Sequence, residues 1–130
     1  MASYVDLVVW QRAMQLVPLV YSVARRLPVE ERYGLSDQLR RAVVSIPANI
    51  AEGQARQHPR ESIQALTVAR GSLAEVDTLL LVAVALGYVD GDEITGAKSV
   101  IFSIRQLLQR LIHHLRSSPA IAPARAERQR

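Results

Sequence analysis

The sequence contains no cysteine, which excludes a disulfide scaffold, a cysteine-built zinc finger and a thiol nucleophile. Aromatic residues make up only 5%, with one Trp and one Phe, and Gly and Pro number six each. Sparse aromatics among many Leu, Ala, Val and Arg favour helices over a β-sandwich. Lysine is almost missing: of 16 basic residues, only Lys98 is not arginine. The planar guanidinium fork suits phosphate because it donates two hydrogen bonds at once, although a coding bias toward arginine gives the same count. No long apolar run is present. The longest, Leu79 to Leu86, is far short of the ~20 residues that cross a bilayer. The first ten residues lack a basic segment followed by an apolar one. The expectation is a cytoplasmic protein with no membrane association.

The 130 residues are 49% hydrophobic and 22% charged, ordinary values for one globular domain that can bury a core without staples. The net charge is +4. Arg125, Arg128 and Arg130 against Glu127 put half of it in residues 118–130, so the body is only mildly basic and a weak pointer to nucleic acid.

Four helical segments follow from periodicity and punctuation. The first runs from about Val5 to Leu27, opened by a Ser3–Asp6 capping box and ended by Pro28. Its expected apolar face is Trp10, Met14, Val17, Tyr21 and Ala24, and Pro18 should kink it. The second runs from Ser36, a candidate N-cap, to about Arg56, bent at Pro47. The third starts with Pro59 in its first turn and ends at Leu86, with Gly87 as its C-terminal stop. The fourth opens with an Asp90–Glu93 capping box and continues to about Ser117. Its seam is Ile94, Ala97, Ile101, Ile104, Leu108, Leu111 and Leu115, alternating steps of three and four. With no strand pattern and short connections, the fold expected for residues 1–117 is all-α, an antiparallel up-down-up-down four-helix bundle. Residues 118–130, with Pro119 and Pro123, are expected to be a disordered tail.

The second segment carries two apolar faces. Leu39, Ala42, Val43, Ile46, Ile50 and Gly53 form one; Val44, Ala48, Ala51 and Ala55 form another, of small residues. Thr78 to Leu86 in the third segment is apolar all round. So much apolar surface on two helices predicts burial between copies of the chain, a homo-oligomer; cover by the second segment and the tail is the alternative. A polar stripe of Arg41, Ser45, Asn49, Glu52 and Arg56 lies between the two faces. Helical spacing places Glu52 within reach of Ser45, Asn49 and Arg56, as a structural network or, as a third hypothesis, an enzymatic cleft.

Dedicated chemistry is not visible. No glutamate has a histidine three residues later, so the di-metal pattern of four-helix bundles is missing, and adjacent His113 and His114 diverge by ~100°. No metal site, catalytic triad, phosphate loop or cofactor is expected; for haem, only Met14 with a histidine stays open as an axial pair. Gly71 and Ser72 in mid-helix are expected to permit close packing. Antiparallel packing would gather Arg56, His58, Arg60, Arg110, His113, His114 and Arg116 at one pole, partly offset by Glu52 and Glu61. Arg56, Arg60, Arg110, His113, His114 and Arg116 are the nucleic-acid-binding candidates. They lack interleaved aromatics, so backbone phosphate rather than base stacking is implied. An ordinary solvated helix end has the same composition.

Four stretches carry a family resemblance: Trp10-Gln11-Arg12-Ala13; Tyr33 to Ala42; Ser45-Ile46-Pro47-Ala48-Asn49-Ile50-Ala51-Glu52-Gly53-Gln54-Ala55-Arg56; and Ala69 to Glu75. In that order they resemble the 23S rRNA intervening-sequence proteins, bacterial four-helix bundles first noticed as products of intervening sequences in ribosomal RNA genes. The resemblance spans about residues 4–115. It implies a small cytoplasmic bundle that assembles as a pentameric ring, without established enzymatic activity. A related branch, the accessory proteins of diversity-generating retroelements, associates with a reverse transcriptase and binds nucleic acid. The signature positions are Arg40, Arg41, Ser45, Asn49, Glu52, Gly53, Arg56 and Glu75. The expected function is a non-enzymatic homo-oligomeric scaffold that binds RNA or DNA through its basic pole; the alternative is a protein-interaction adaptor that binds no nucleic acid directly.

Overall fold

The computed structural model describes Tyr4 and residues 7–118. Four α-helices fill this span: α1 (Val8–Arg26), α2 (Leu35–Ala55), α3 (Pro59–Ala85) and α4 (Thr95–Arg116). Short 3-10 turns at Val29–Glu31 and Gly91–Ile94 join α1 to α2 and α3 to α4, and the described residues include no strand. Each helix packs on two neighbours, α1 on α2 and α4, and α3 on the same two, with α2–α3 the most extensive pairing. Consecutive helices run antiparallel, so the described residues form an up-down-up-down bundle.

The core is aliphatic. Leu16, Leu39, Ile46, Ile50, Leu73, Leu80, Ile101, Ile104, Leu108 and Ile112 are fully buried, each contributing about 1.5–3 kcal/mol. The inner face of α2 is the one read from its pattern: Leu39, Ala42, Val43, Ile46, Ile50 and Gly53 are all buried. α1 differs from expectation. Its core stripe is Val9, Ala13, Leu16, Val20 and Val23, continued by Leu27. Trp10, Val17 and Tyr21 are half-buried on its flank, and Met14 is exposed; of the expected face, only Ala24 is buried. Both stripes have helical spacing and lie ~100° apart, so periodicity could not choose between them. Packing placed the compact aliphatics inward and left the larger Trp and Tyr at the rim. The α4 seam follows expectation through Leu108, then moves to Ile112, leaving Leu111 and Leu115 half-buried. A straight helix advances 3.6 residues per turn, and a 3.5-residue seam drifts off its face.

The helix ends also correct the sequence reading. α1 begins at Val8, and the expected Ser3–Asp6 box lies outside the described residues. Pro18 and Pro47 lie inside α1 and α2, as expected, and end neither helix. Ser36 does not cap α2; it is buried in the first turn, and its hydroxyl donates to the Ala24 carbonyl of α1 at 3.1 Å. The capping role falls to Glu31, whose Oε1 accepts from the Leu35 N–H at 3.1 Å and whose Oε2 accepts from the Tyr88 hydroxyl at 2.9 Å. One carboxylate thus ties the start of α2 to the α3–α4 connection. At the end of α3, Gly87 has φ 77°. The Tyr88 N–H reaches the Ala83 carbonyl and the Gly87 N–H the Val84 carbonyl, a paired closure that satisfies two orphan acceptors. The Asp90–Glu93 capping box is present, and it caps the 3-10 turn that precedes α4.

Candidate nucleic-acid interface

The C-terminal ends of α2 and α4 and the N-terminal ends of α1 and α3 meet at one pole. A cavity of about 180 Å³ there touches all four, with Leu7, Gly53, Pro59, Ser62, Leu111 and Leu115 in its wall. Arg56, His58, Arg60, Arg110, His113, His114 and Arg116 are exposed around it. The structure therefore brings the candidate residues to one end. They are not equivalent. Arg56 donates to Glu52 Oε1 at 2.5 Å. That hydrogen bond and the Glu52 charge, with a smaller effect of Glu61, hold its guanidinium pKa above its ordinary value. Arg56 is thus internally balanced. Arg60, Arg110, His113, His114 and Arg116 form no side-chain ion pair among the described residues. The arginines of the tail, Arg125, Arg128 and Arg130, lie outside the described residues.

The polar stripe of α2 divides into separate parts. Ser45 Oγ and Ser72 Oγ share a hydrogen bond of 2.8 Å between α2 and α3. The Asn49 amide donates back to the Ser45 carbonyl at 2.8 Å and to Ser45 Oγ at 3.0 Å. Glu52 belongs to Arg56 instead, and Arg41 pairs with Asp37 at 3.0 Å. Arg40 Nη2 donates to the Arg32 carbonyl at 3.4 Å. Glu75 is exposed on α3 and makes no ion pair among the described residues.

At Gly53, α2 and α3 pack closely. A Cβ there would stand 3.2 Å from both Leu66 Cγ and the Ser62 carbonyl oxygen, and the Ser62 hydroxyl donates to the Gly53 carbonyl at 2.8 Å. The expectation of close packing at Gly71 is corrected: a Cβ there would meet nothing within 4 Å, because Gly71 lies on the outer face of α3. Its neighbour Ser72 turns inward and makes the contact.

A cleft of about 370 Å³ runs along the α2–α3 groove, lined by Asn49, Glu52, Arg56, Glu61, Gln64 and Val68. It meets the first condition for an enzymatic site, an open cleft at Glu52 and Asn49. Within it Glu52 is paired with Arg56 and Asn49 is bonded to Ser45, however, and Ser45 and Ser72 are bonded together without a histidine beside them. Among the described residues, no three His, Asp or Glu side chains gather to hold a metal.

One feature escaped sequence reasoning. Asp77 on α3 accepts from Lys98 at 2.5 Å and from Arg105 at 3.1 Å, both on α4. Lys98 and Arg105 are one heptad apart, a spacing that places both on one face, but only the packing selects their acid. At the opposite pole, Arg25, Arg32 and Arg40 line a pocket of about 280 Å³.

The outer surface is apolar over part of α2 and α3. Within the Thr78–Leu86 run, Leu80 and Ala83 are buried, Leu79 and Val84 half-buried, and Leu81, Val82, Ala85 and Leu86 exposed. Val44, Ala48 and Ala55 of α2 and Val68 of α3 are also exposed. Among the described residues, no helix is long and apolar enough to cross a membrane.

Comparison with known proteins agrees with this architecture. A crystal structure of a protein of unknown function from the S23 ribosomal protein family of Bacteroides thetaiotaomicron is similar, with a TM-score of 0.73 and 23% identity. The match covers 81% of this chain and 98% of that one. At that identity the likeness concerns the fold. No curated protein matches significantly. The profile of the 23S rRNA-intervening sequence proteins matches residues 5–110. That span takes in all four sequence markers, and the chain belongs to the 23S rRNA-intervening sequence protein family.

Proposed function

We propose that this protein is a non-enzymatic, cytoplasmic helical scaffold that assembles as a homo-oligomer, a pentameric ring, and binds RNA or DNA through its basic pole. One observation carries the nucleic-acid part: Arg60, Arg110, His113, His114 and Arg116 stand exposed together at one end, without an acidic partner among the described residues. Arginines held this way contact phosphates and release counter-ions, so affinity falls steeply with salt. A ring would repeat the pole around its rim. Assembly is supported by Leu81, Val82 and Leu86 on α3 and Val44 on α2, large aliphatic side chains left exposed by the single chain.

The test is a gel shift with mixed-sequence RNA and DNA at two salt concentrations, alongside light scattering for mass. Charge reversal at Arg60, Arg110 and Arg116 should abolish the shift and leave the mass unchanged. Binding that survives the reversal refutes the basic pole, and a single-chain mass at working concentration refutes the ring. The exposed aliphatics of α3 also favour a second role, an adaptor for another polypeptide. That role predicts no shift with nucleic acid alone and a defined protein partner whose binding is lost in Leu81→Glu.

A further inference from the structure

The pole opposite the proposed nucleic-acid surface holds a second cationic feature. Arg25 from the last turn of α1, Arg32 from the end of the α1–α2 connection and Arg40 from the second turn of α2 line one pocket of about 280 Å³. Leu27, Pro28 and Val29 supply apolar walls, and no carboxylate is part of the lining. Three acids of this pole are engaged elsewhere. Glu31 accepts from the Leu35 N–H and the Tyr88 hydroxyl. Asp37 pairs with Arg41 and Glu93 with Arg26. Glu30 is exposed on the turn and outside the pocket. Arg25, Arg32 and Arg40 make no ion pair among the described residues. Arg40 is oriented by its hydrogen bond to the Arg32 carbonyl.

Three arginines lining one concavity with no carboxylate among them give it a positive potential that favours an anion. The planar forks match tetrahedral oxyanions, to which each can donate two hydrogen bonds. The Ser36 hydroxyl also borders the pocket, but its proton is committed to the Ala24 carbonyl, so recognition falls to the arginines. We propose that the Arg25–Arg32–Arg40 pocket is a binding site for a phosphate group, separate from the Arg60–Arg110–Arg116 pole. The group is either a small phosphate compound or the phosphodiester of a nucleic acid.

Isothermal titration calorimetry of the full chain with inorganic pyrophosphate at low salt tests this. Arg25→Ala, Arg32→Ala and Arg40→Ala should each weaken binding about tenfold or more, the loss expected for a charge-assisted hydrogen bond. Arg110→Ala/Arg116→Ala should leave it unchanged, which separates this site from the nucleic-acid proposal. If an alanine variant fails to fold by circular dichroism, Arg32→Lys and Arg40→Lys keep the charge and should still weaken binding by losing the fork. An oligonucleotide without terminal phosphates that competes with pyrophosphate identifies a phosphodiester source; absence of competition identifies a small phosphate compound. No pyrophosphate binding by the wild type overturns the site. So does unchanged binding in the triple alanine variant, or an equal loss in Arg110→Ala/Arg116→Ala, which would assign the effect to overall charge.

Discussion

The same substitution, Gly to Ala, should have opposite effects at two glycines of adjacent helices. Gly71 sits in the interior of α3, and an added Cβ meets nothing within 4 Å. Alanine there restricts the unfolded chain and improves helix propensity, gaining about 0.5–1 kcal/mol. Gly53 has the same propensity to gain. Its Cβ, however, would press on the Ser62 backbone oxygen and Leu66 Cγ at 3.2 Å. Leu66 is buried and cannot rotate away freely, and the Ser62 carbonyl belongs to the first turn of α3. Relieving the contact requires α2 and α3 to separate by a few tenths of an ångström and strains the Ser62–Gly53 hydrogen bond. Overpacking of this kind costs about 1–3 kcal/mol, so the net effect at Gly53 is destabilisation of about 1 kcal/mol. At about 3–5 °C per kcal/mol for a domain of this size, Gly71→Ala should raise Tm by a few degrees and Gly53→Ala should lower it by a similar amount. Circular dichroism at 222 nm, with both variants at one protein concentration, reads the difference. An equal rise in Tm for both would refute the close α2–α3 approach at Gly53.

Asp77→Ala should destabilise the fold by about 1 kcal/mol in urea unfolding, because it leaves Lys98 and Arg105 without their shared carboxylate. Arg105→Ala leaves Lys98 paired with Asp77 and should cost less; an equal or larger loss there would contradict the sharing. Glu31→Ala should cost about 1 kcal/mol through the lost cap of α2, read as a lower urea midpoint, and a smaller loss in Tyr88→Phe than in Glu31→Ala would show that capping dominates. The Glu93 carboxyl is held below its ordinary pKa, first by the Asp90 backbone N–H and then by Arg26. Its stabilising effect is therefore present above its unfolded pKa of about 4.3 and fades as pH falls through the lower folded value; Glu93→Gln should flatten the acid side of a Tm–pH curve. The Tyr88 hydroxyl is pushed up, chiefly by its hydrogen bond to Glu31, so its effect is full below about pH 10 and lost as pH rises through the raised folded value. Tyr88→Phe should remove that alkaline loss, and an unchanged curve would contradict the Tyr88–Glu31 bond.

Much of the fold was legible in the residues. Pro59 in the first turn of α3, Gly87 past its end and the Asp90–Glu93 box are local devices whose geometry depends on a few neighbouring residues. The inner face of α2 was legible because its opposite face offers only Val44 and alanines as an alternative. α1 was ambiguous because Val9 and Trp10 each begin an apolar stripe, and the choice depends on which shape fits between α2 and α4. Within the candidate site, antiparallel order was enough to bring Arg56, Arg60, Arg110 and Arg116 to one end. It could not reveal that Arg56 belongs to Glu52 while Arg60, Arg110 and Arg116 stand without such a partner among the described residues.

Helix number, order and direction were already settled by the order of residues, because apolar period and end signals act over one or two turns of chain. Packing in three dimensions was needed to select the inward face of α1, to set Ser36 as a brace on α1 and to let two helices close at Gly53 rather than Gly71. It also assigned each charge its partner. Those outcomes depend on distances between residues far apart in the chain, where a few tenths of an ångström or a single rotamer separates a contact from open solvent.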